Sequence, residues 1–411
     1  MTILKYWLWL TTRRGISSAG IMSVLDYFGT PEAAHFADPA EYDLIPGLAA
    51  QSRSSLLDKS LEEAEHILAE CERLDIRILT IHDAGYPERL KNIYDPPVVL
   101  YLKGKDLSFD DQVAIALIGS RNPSQYGVMH AERLGRELAA QGAVVVSGMA
   151  VGLDSQSIRG ALRGGGTVIG VLGCGIDVNY PRENRFLLRD VAASGVLLSE
   201  YPPGTPPKSS NFPARNRIIS GLSLGVVVVE GGAQSGTRIT AAAALEQNRD
   251  VFALPGSVDA PMSVTPNQLI RRGEAKLVTS ASDILEEYQS IYPHKIKLAP
   301  ALAAQEPPTA QPVAAVTRRP EKKPPAEEKT VDKETEIPYI HWKKLTPALT
   351  DDQRDILLAL RDKPLGHEEI IEATQIPARR ASSAITMLQL SGFLKEEAGR
   401  RFAATVRIRI D

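Results

Sequence analysis

The fold class is indicated most clearly by residues 113–154, VAIALIGSRNPSQYGVMHAERLGRELAAQGAVVVSGMAVGLD. Two short apolar runs, Val113–Ile118 and Ala143–Ser147, flank a segment with helical spacing, His130–Ala140. Each apolar run leads into a glycine-containing loop. A buried strand, a helix and a second buried strand are typical of a parallel sheet that is covered by helices on both faces.

The same alternation continues on both sides of this stretch. The further predicted strands are Ile76–Ile81, Val98–Leu102, Val168–Leu172, Val196–Ser199, Gly225–Glu230 and Val251–Leu254. The further predicted helices are Ser155–Arg163, Asn184–Ala193, Asn216–Leu222 and Thr240–Gln247. The sequence therefore predicts an α/β core over residues 76–289, with a doubly wound, mostly parallel, Rossmann-like sheet. Such sheets bind ligands in the crevice beyond the carboxyl ends of their strands.

A small helical domain is predicted before this core, over residues 1–75. Glycine and proline divide it into the helices Gly15–Phe28, Pro31–Ala37 and Ser54–Cys71. The sequence Ile45-Pro46-Gly47-Leu48 has the outline of a helix-hairpin-helix turn, whose backbone N–H groups could hold a phosphate. Two interpretations remain open for this domain: DNA contact, or packing alone.

Two segments of different composition follow the core. Residues 290–345 are rich in Pro, Ala, Lys and Glu, which predicts a mobile and partly extended linker. Residues 346–411 read as three helices and two short strands, the order of a winged-helix domain. Its cations Arg379, Arg380, Arg400 and Arg401 would suit duplex DNA, and contact with a protein partner remains equally open.

The composition of the 411 residues narrows the possible functions. A formal net charge of −3 excludes a protein that coats nucleic acid by bulk positive charge, so any polyanion site must be a local patch. The two cysteines, Cys71 and Cys174, provide neither a disulfide scaffold nor a zinc-binding spacing. No signal peptide or membrane span is recognisable. We expect a soluble, cytoplasmic protein with no metal, organic cofactor or membrane contact.

The loops at the predicted carboxyl edge carry the candidate ligand-binding residues. Glycine permits close approach of a phosphate, arginine offers a charged fork, and an exposed aromatic ring stacks on any base. The candidates are Gly119, Ser120, Arg121, Lys208, Phe212, Arg215, Asn216, Arg217, Ser235, Gly236 and Thr237. As an alternative role, we expect at least one of Arg215 and Arg217 to form a salt bridge with Glu200 or Glu230.

Several segments of the core resemble the successive signature blocks of the DprA/Smf family of DNA-processing proteins. They are Gly-Ser-Arg at 119–121, SGMAVGLD at 147–154, GCGIDVNYPRENRFL at 173–187, SEYPPG at 199–204, FPARNRIISGLS at 212–223 and FALPGS at 252–257. Their order and spacing match the family over about residues 76–284. The flanking helical and winged-helix domains are similar to common additions in that family.

The resemblance implies a non-catalytic function in natural transformation. A member of this family binds incoming single-stranded DNA, protects it and helps to load the RecA recombinase, typically as a homodimer. The resemblance also assigns DNA contact to the candidate residues named above.

Two enzymatic functions are alternatives to this interpretation. The loop Glu230–Thr237 is similar to that of nucleoside-monophosphate phosphoribohydrolases, in which Glu230 and Arg238 would cleave an N-glycosidic bond. However, the glutamate that follows Gly-Thr in those enzymes is absent here. Oxidoreduction with NAD(P) is disfavoured, because no strand ends in G-x-G-x-x-G with an acidic residue about 20 positions later.

Overall fold

The structure is a computed structural model that describes residues 3–298, 339–341, 349–361, 363–390, 393–397, 401–405 and 407–409. It divides into two compact units, residues 1–311 and 312–411. Most of the predicted linker at 290–345 lies outside the described residues. The packed part of the first unit continues to Ile296, which is buried.

The described part of the first unit contains a nine-stranded sheet. Its strands are β1 Arg77–Thr80, β2 Val99–Gly104, β3 Ala114–Ile118, β4 Val144–Ser147, β5 Val168–Leu172, β6 Val196–Ser199, β7 Gly225–Val228, β8 Asp250–Ala253 and β9 Lys276–Leu277. They lie in the order β1-β2-β6-β5-β4-β3-β7-β8-β9. Strand β2 is antiparallel to β1 and β6, whereas the pairs from β6 through to β9 are parallel.

The strand order places a topological switch point between β3 and β7. The chain moves from β3 outward to β6 on one side, and from β7 outward to β9 on the other. Loops that leave β3 and β7 therefore diverge and open a crevice at the carboxyl edge. Strands β3 and β5 are buried along their whole length, as their uninterrupted apolar sequences predicted. Strand β9 was not predicted, because its two residues are both exposed.

Helices cover both faces of this sheet. They are α7 Gln125–Ala140, α8 Leu153–Arg163, α9 Arg185–Ser194, α10 Asn211–Leu222, α11 Thr237–Glu246, α12 Val264–Arg271 and α13 Ser282–Leu285. Helices α7 and α8 touch backbone to backbone, since a Cβ on Gly135 would lie 2.1 Å from the Ser157 carbonyl oxygen. Helix α10 begins earlier than predicted because Pro213 lies in its first turn, where proline is tolerated.

The N-terminal segment packs directly onto the sheet. Its helices are α1 Leu4–Thr12, α2 Ser18–Phe28, α3 Pro31–Phe36, α4 Ala50–Leu56 and α5 Glu62–Arg73, and α6 Glu88–Lys91 follows β1. The predicted helix Ser54–Cys71 is in fact two helices, α4 and α5. Asp58 lies between them and pairs with Arg13 of the α1 C-terminus at 2.8 Å. Helix α1 was not predicted, and its Trp9 is fully buried in a cluster continuous with the sheet.

The second unit contains the three predicted helices and the predicted hairpin, together with three short strands that were not predicted, one of them at 339–341 inside the predicted linker. Its helices are α14 Asp351–Ala359, α15 His367–Thr374 and α16 Ala378–Leu390, and its strands are β10 Tyr339–His341, β11 Leu365–Gly366, β12 Leu394–Glu397, β13 Arg401–Ala404 and β14 Arg407–Arg409. Strands β12 and β13 form the antiparallel hairpin that follows the third helix. A separate core of buried aliphatic residues, including Ile356, Ile370 and Leu388, holds these helices together. None of the helices in the described ranges is long and apolar enough to span a membrane.

Candidate functional site

A cleft of about 440 Å³ opens at the switch point between β3 and β7. Its walls are the loop after β3, the loop after β7, and parts of α8, α10 and α11. Its lining residues include Arg121, Asp154, Arg215, Asn216, Ser235 and Thr237. Eight of the eleven candidate residues line this one cleft.

The loop after β3 is pressed against the start of α8. Gly152 has a φ of +84°, and a Cβ there would lie 2.4 Å from the Ser120 carbonyl oxygen. A Cβ on Gly119 would lie 2.3 Å from Leu153 Cδ1, and the Leu153 N–H donates to the Ser120 carbonyl at 3.1 Å. These close approaches fix the loop, and the Arg121 side chain remains exposed at the cleft. Among the described residues, no carboxylate lies within ion-pairing distance of Arg121.

Arg215 faces inward, although it belongs to the same predicted group. It is 4% exposed, and its guanidinium donates to the carbonyl oxygens of Gly148, at 2.5 Å, and of Val171. It therefore joins the loop after β4 to the end of β5. Burial lowers the pKa of Arg215, and the charge of Asp154 opposes this shift. Burial also raises the pKa of Asp154, which Arg215 in turn opposes.

Arg217 forms the salt bridge that the sequence analysis expected for at least one of the two arginines. Its guanidinium makes two hydrogen bonds with the Glu200 carboxylate, at 2.7 and 3.0 Å, and pairs with Asp95 at 3.0 Å. Its side chain is 15% exposed. Arg217 thus anchors α10 to two loops and does not line the cleft.

An aromatic side chain lines a neighbouring cavity of about 320 Å³. This is Phe212, which is half-buried and lies 5.3 Å from the Tyr180 ring, centre to centre, with a tilt of 35°. The guanidinium carbon of Arg121 lies 5.7 Å from the Phe212 ring centre. Asn216 and Gly236 line both cavities, so the two form one groove. Lys208 is exposed on the loop that leads into α10.

The loop after β7 contributes a helix start to the groove. Helix α11 begins at Thr237, and no side chain caps its N-terminus. The Ser235 hydroxyl accepts hydrogen bonds from the Thr237 hydroxyl at 2.9 Å and from the Thr237 N–H at 3.3 Å. Gly236 is exposed and open space surrounds the position of a Cβ. The N–H groups of Arg238 and Ile239 donate to the carbonyl oxygens of Ser235 at 3.2 Å and of Gly236 at 3.1 Å, so the first three N–H groups of α11 already have acceptors.

Glu230 is withdrawn from this groove. It is 2% exposed, and its carboxylate accepts hydrogen bonds from the Ser124 N–H at 3.0 Å and from the Ser124 hydroxyl. A Cβ on Gly127 would clash with it at 2.2 Å, so the carboxylate lies beneath the first turn of α7. Arg238 donates to the Ala233 carbonyl at 3.1 Å and lines a different cavity.

Three residues of the site were not singled out from the sequence: Asp154, Tyr180 and Asn184. The Asn184 amide donates to the Met149 carbonyl at 2.8 Å and to Ser155 Oγ at 2.9 Å. It thereby ties the start of α9 to the loop after β4. Both Tyr180 and Asn184 lie in the quoted block GCGIDVNYPRENRFL, where an aromatic and an amide in a loop after a strand were the available signal.

Two of the four candidate cations of the second unit have described side chains, and both form ion pairs. Arg380 pairs with Asp352 at 2.7 Å, and Arg401 pairs with Glu369 at 3.2 Å. The side chain of Arg379 and the residue Arg400 lie outside the described residues.

A doubly wound sheet with an exposed arginine, an aromatic ring and glycine-containing loops at its switch point defines a Rossmann-like protein with a candidate ligand-binding groove. The family is shown by the comparisons: the chain belongs to the DNA recombination-mediator protein A (DprA) family. The model of that family matches residues 77–289, and the model of the DprA winged helix domain matches residues 343–400.

Individual relatives agree with this assignment. The DNA processing protein DprA of Bacillus subtilis is 43% identical over 61% of this chain and 87% of its own length. Protein Smf of Synechocystis is 30% identical over 97% of this chain and 98% of its own length. The X-ray structure of DprA from Streptococcus pneumoniae is similar with a TM-score of 0.62 and 34% identity, covering 73% of this chain and 100% of that one.

Proposed function

We propose that this chain binds single-stranded DNA in the groove at the switch point. The observation that carries the proposal is the exposed Arg121 guanidinium beside the half-buried Phe212 ring. A cation neutralises a backbone phosphate while the ring stacks on the base attached to it.

A single strand fits this groove better than a duplex. Stacking on Phe212 or Tyr180 requires a base whose face is free, and bases in a duplex are already stacked on their neighbours. The chain also has a net charge of −3, so its attraction to DNA must come from a few local cations. These features support binding that is independent of base identity and sensitive to salt.

The family assignment supports a wider proposal about partners. We infer that the chain acts in the cytoplasm as a homodimer, protects incoming single strands in natural transformation and helps RecA to form filaments on them. The test is RecA-dependent strand exchange on a single strand that carries single-strand-binding protein. Stimulation by this chain supports the proposal, and no stimulation at saturating protein contradicts it.

The test of the DNA site itself is fluorescence anisotropy of a labelled oligo-dT strand, with an unlabelled strand and an unlabelled duplex as competitors. We expect the single strand to compete at least tenfold better than the duplex. Equal competition would overturn the assignment of a single-strand site.

In this structure, the two residues that the nucleotide-hydrolase alternative would use for catalysis do not face the groove. Glu230 accepts hydrogen bonds beneath α7, and Arg238 lines another cavity, so neither offers a group to a nucleotide in the groove. Incubation with AMP at high protein concentration tests this alternative. Release of free adenine would support it, and intact AMP would contradict it.

A further inference from the structure

We propose that the bound single strand continues beyond the groove, over Tyr180 and onto the exposed face of α9. This proposal rests on the proposed function and names a second segment of the same DNA path. The surface, called the α9 face here, consists of Arg182, Arg185, Phe186 and Arg189.

The α9 face combines unpaired cations with an unpacked aromatic ring. Arg182, Arg185 and Arg189 are exposed, and Phe186 is 58% exposed. The guanidinium carbon of Arg185 lies 4.5 Å from the Phe186 ring centre. In the described part of the chain no carboxylate pairs with any of the three arginines, although Glu183 and Asp190 lie on the same segment.

Arg182 lies in the 3-10 turn Arg182–Asn184 that leads into α9, whereas Arg185, Phe186 and Arg189 belong to the helix itself. Arg185 and Phe186 lie four and three positions before Arg189, so these three side chains share one helical face. Arg189 lies about 6 Å farther along the axis than Arg185, at 1.5 Å per residue. That distance is close to the reach of one nucleotide, so successive phosphates could be neutralised in turn while Phe186 stacks on a base.

The α9 face is physically continuous with the groove. Tyr180 is 38% exposed and lines the same cavity as Arg121 and Phe212. Pro181 and Arg182 follow it directly. The Asn184 amide donates to the Ala150 carbonyl at 3.2 Å, and Ala150 itself lines the cleft. The start of α9 is therefore held at a fixed position beside the groove, and a strand that leaves the groove over Tyr180 meets Arg182 next.

Single-stranded DNA is the occupant that these observations favour. Arg182, Arg185 and Arg189 provide positive charge for backbone phosphates, and the exposed Phe186 ring among them can stack on a base. Alternating positive charge and aromatic surface is the composition of single-strand tracks.

The experiment compares two strand lengths and two variants by fluorescence anisotropy. The shorter strand is oligo-dT of about six nucleotides, toward the lower end of the range of single-strand site sizes. The longer strand is oligo-dT of about twenty nucleotides, which exceeds that range. The test variant is Arg182→Gln/Arg185→Gln/Arg189→Gln, and Phe186→Ala is measured separately. The matched control is Lys105→Gln/Arg136→Gln/Lys297→Gln, which removes three exposed cations at the opposite, amino edge of the sheet.

We expect the α9 variant to bind the longer strand at least tenfold more weakly, with a log–log salt slope that is shallower by about two. Phe186→Ala should weaken the longer strand about fivefold or more, since stacking on one base contributes that much or more. The short strand and the amino-edge control should stay within about twofold of wild type.

Unchanged affinity for the longer strand, or an equal loss for both lengths, would overturn the α9 proposal and leave the groove proposal standing. A folded wild-type protein that binds neither strand would instead remove the proposed function, and the α9 proposal with it.

Discussion

The guanidinium carbon of Arg121 lies 5.7 Å from the centre of the Phe212 ring, although the two residues belong to different crossovers of the sheet. Arg121 follows β3, and Phe212 lies in the first turn of α10, which leads to β7. The switch point brings them together at one end of the groove. Arg121 can neutralise a phosphate while the Phe212 ring stacks on the base attached to it. This pair is therefore the centre of the proposed DNA site.

Replacement of Arg215 should affect stability and not DNA contact directly. Arg215→Ala removes a donor from the carbonyl oxygens of Gly148 and Val171, and it removes the stronger of the two cationic influences on the buried Asp154. We expect the free energy of unfolding to fall by about 3 kcal/mol or more, measured by urea denaturation. The exposed Arg121→Ala should change it by less than about 0.5 kcal/mol. A stable Arg215→Ala protein with weakened DNA binding would show that Arg215 is a DNA contact instead.

Substitution by alanine should lower the stability of the protein at one glycine of the groove and leave it unchanged at another. Gly119→Ala places a Cβ 2.3 Å from Leu153 Cδ1, so α8 must shift and stability should fall by about 1–3 kcal/mol. At Gly236 open space surrounds the new Cβ, so stability should be unchanged. If DNA approaches the start of α11 closely, Gly236→Ala should weaken single-strand binding several-fold. Thermal unfolding and anisotropy on both variants check this pair, and loss of stability at Gly236 would contradict it.

His130 should make stability depend on pH. Its ring lies 4.1 Å from that of Tyr126, and burial, together with Arg133, lowers the pKa of His130. Between the lowered folded-state pKa and the unfolded pKa of about 6.5, the unfolded state therefore binds more protons than the folded state. The free energy of unfolding should consequently decrease as the pH falls through that value.

His130→Gln removes the titrating group and should reduce this decrease. The check is urea unfolding of both proteins at about pH 7.5 and about pH 5.5, on either side of the unfolded pKa. The same difference between the two pH values in variant and wild type would show that other groups cause it.

Deletion of residues 346–411 should leave single-strand affinity largely intact. The two units have separate buried cores, and the groove belongs wholly to the first. In the second unit, Arg380 and Arg401 already pair with Asp352 and Glu369. We expect a change of less than about threefold in anisotropy titrations with oligo-dT. A loss of tenfold or more would place a main DNA contact in the winged-helix unit.

The sheet could be predicted from the sequence because its strands are short, apolar and rich in β-branched residues. Strands β5 and β6 begin and end where they were predicted. Helix α1 was missed because its aromatic sequence, LKYWLWLTT, has apolar residues on all sides and so lacks a helical period. The break between α4 and α5 was missed although it carries a local signal, since Asp58 accepts the Ser60 N–H at 3.0 Å and the Ser60 hydroxyl accepts the Glu62 N–H at 3.3 Å. The additional contact between Asp58 and Arg13 is tertiary, and no local pattern reveals it.

The members of the site could be predicted better than their roles. Arg215 and Arg217 are two positions apart on α10, so their side chains leave the helix in nearly opposite directions. One enters the sheet edge and the other reaches Glu200. The sequence indicated that one of them would form a salt bridge, but which one depends on the rotation of α10 against the sheet. Tyr180 was missed because its proximity to Phe212 arises only from the strand order.

The most direct test of the central proposal is the anisotropy of labelled oligo-dT over salt concentrations from about 0.05 to about 0.3 M. It compares wild type, Arg121→Ala/Lys208→Ala, and the amino-edge control Lys105→Ala/Lys297→Ala. We predict salt-sensitive binding by wild type and by the control, and a loss of at least tenfold in Arg121→Ala/Lys208→Ala. The salt slope of that variant should be shallower by about 1.4, for two phosphates. Binding by that variant as tight as wild type, or no binding by folded wild type, would contradict a single-strand site in this groove.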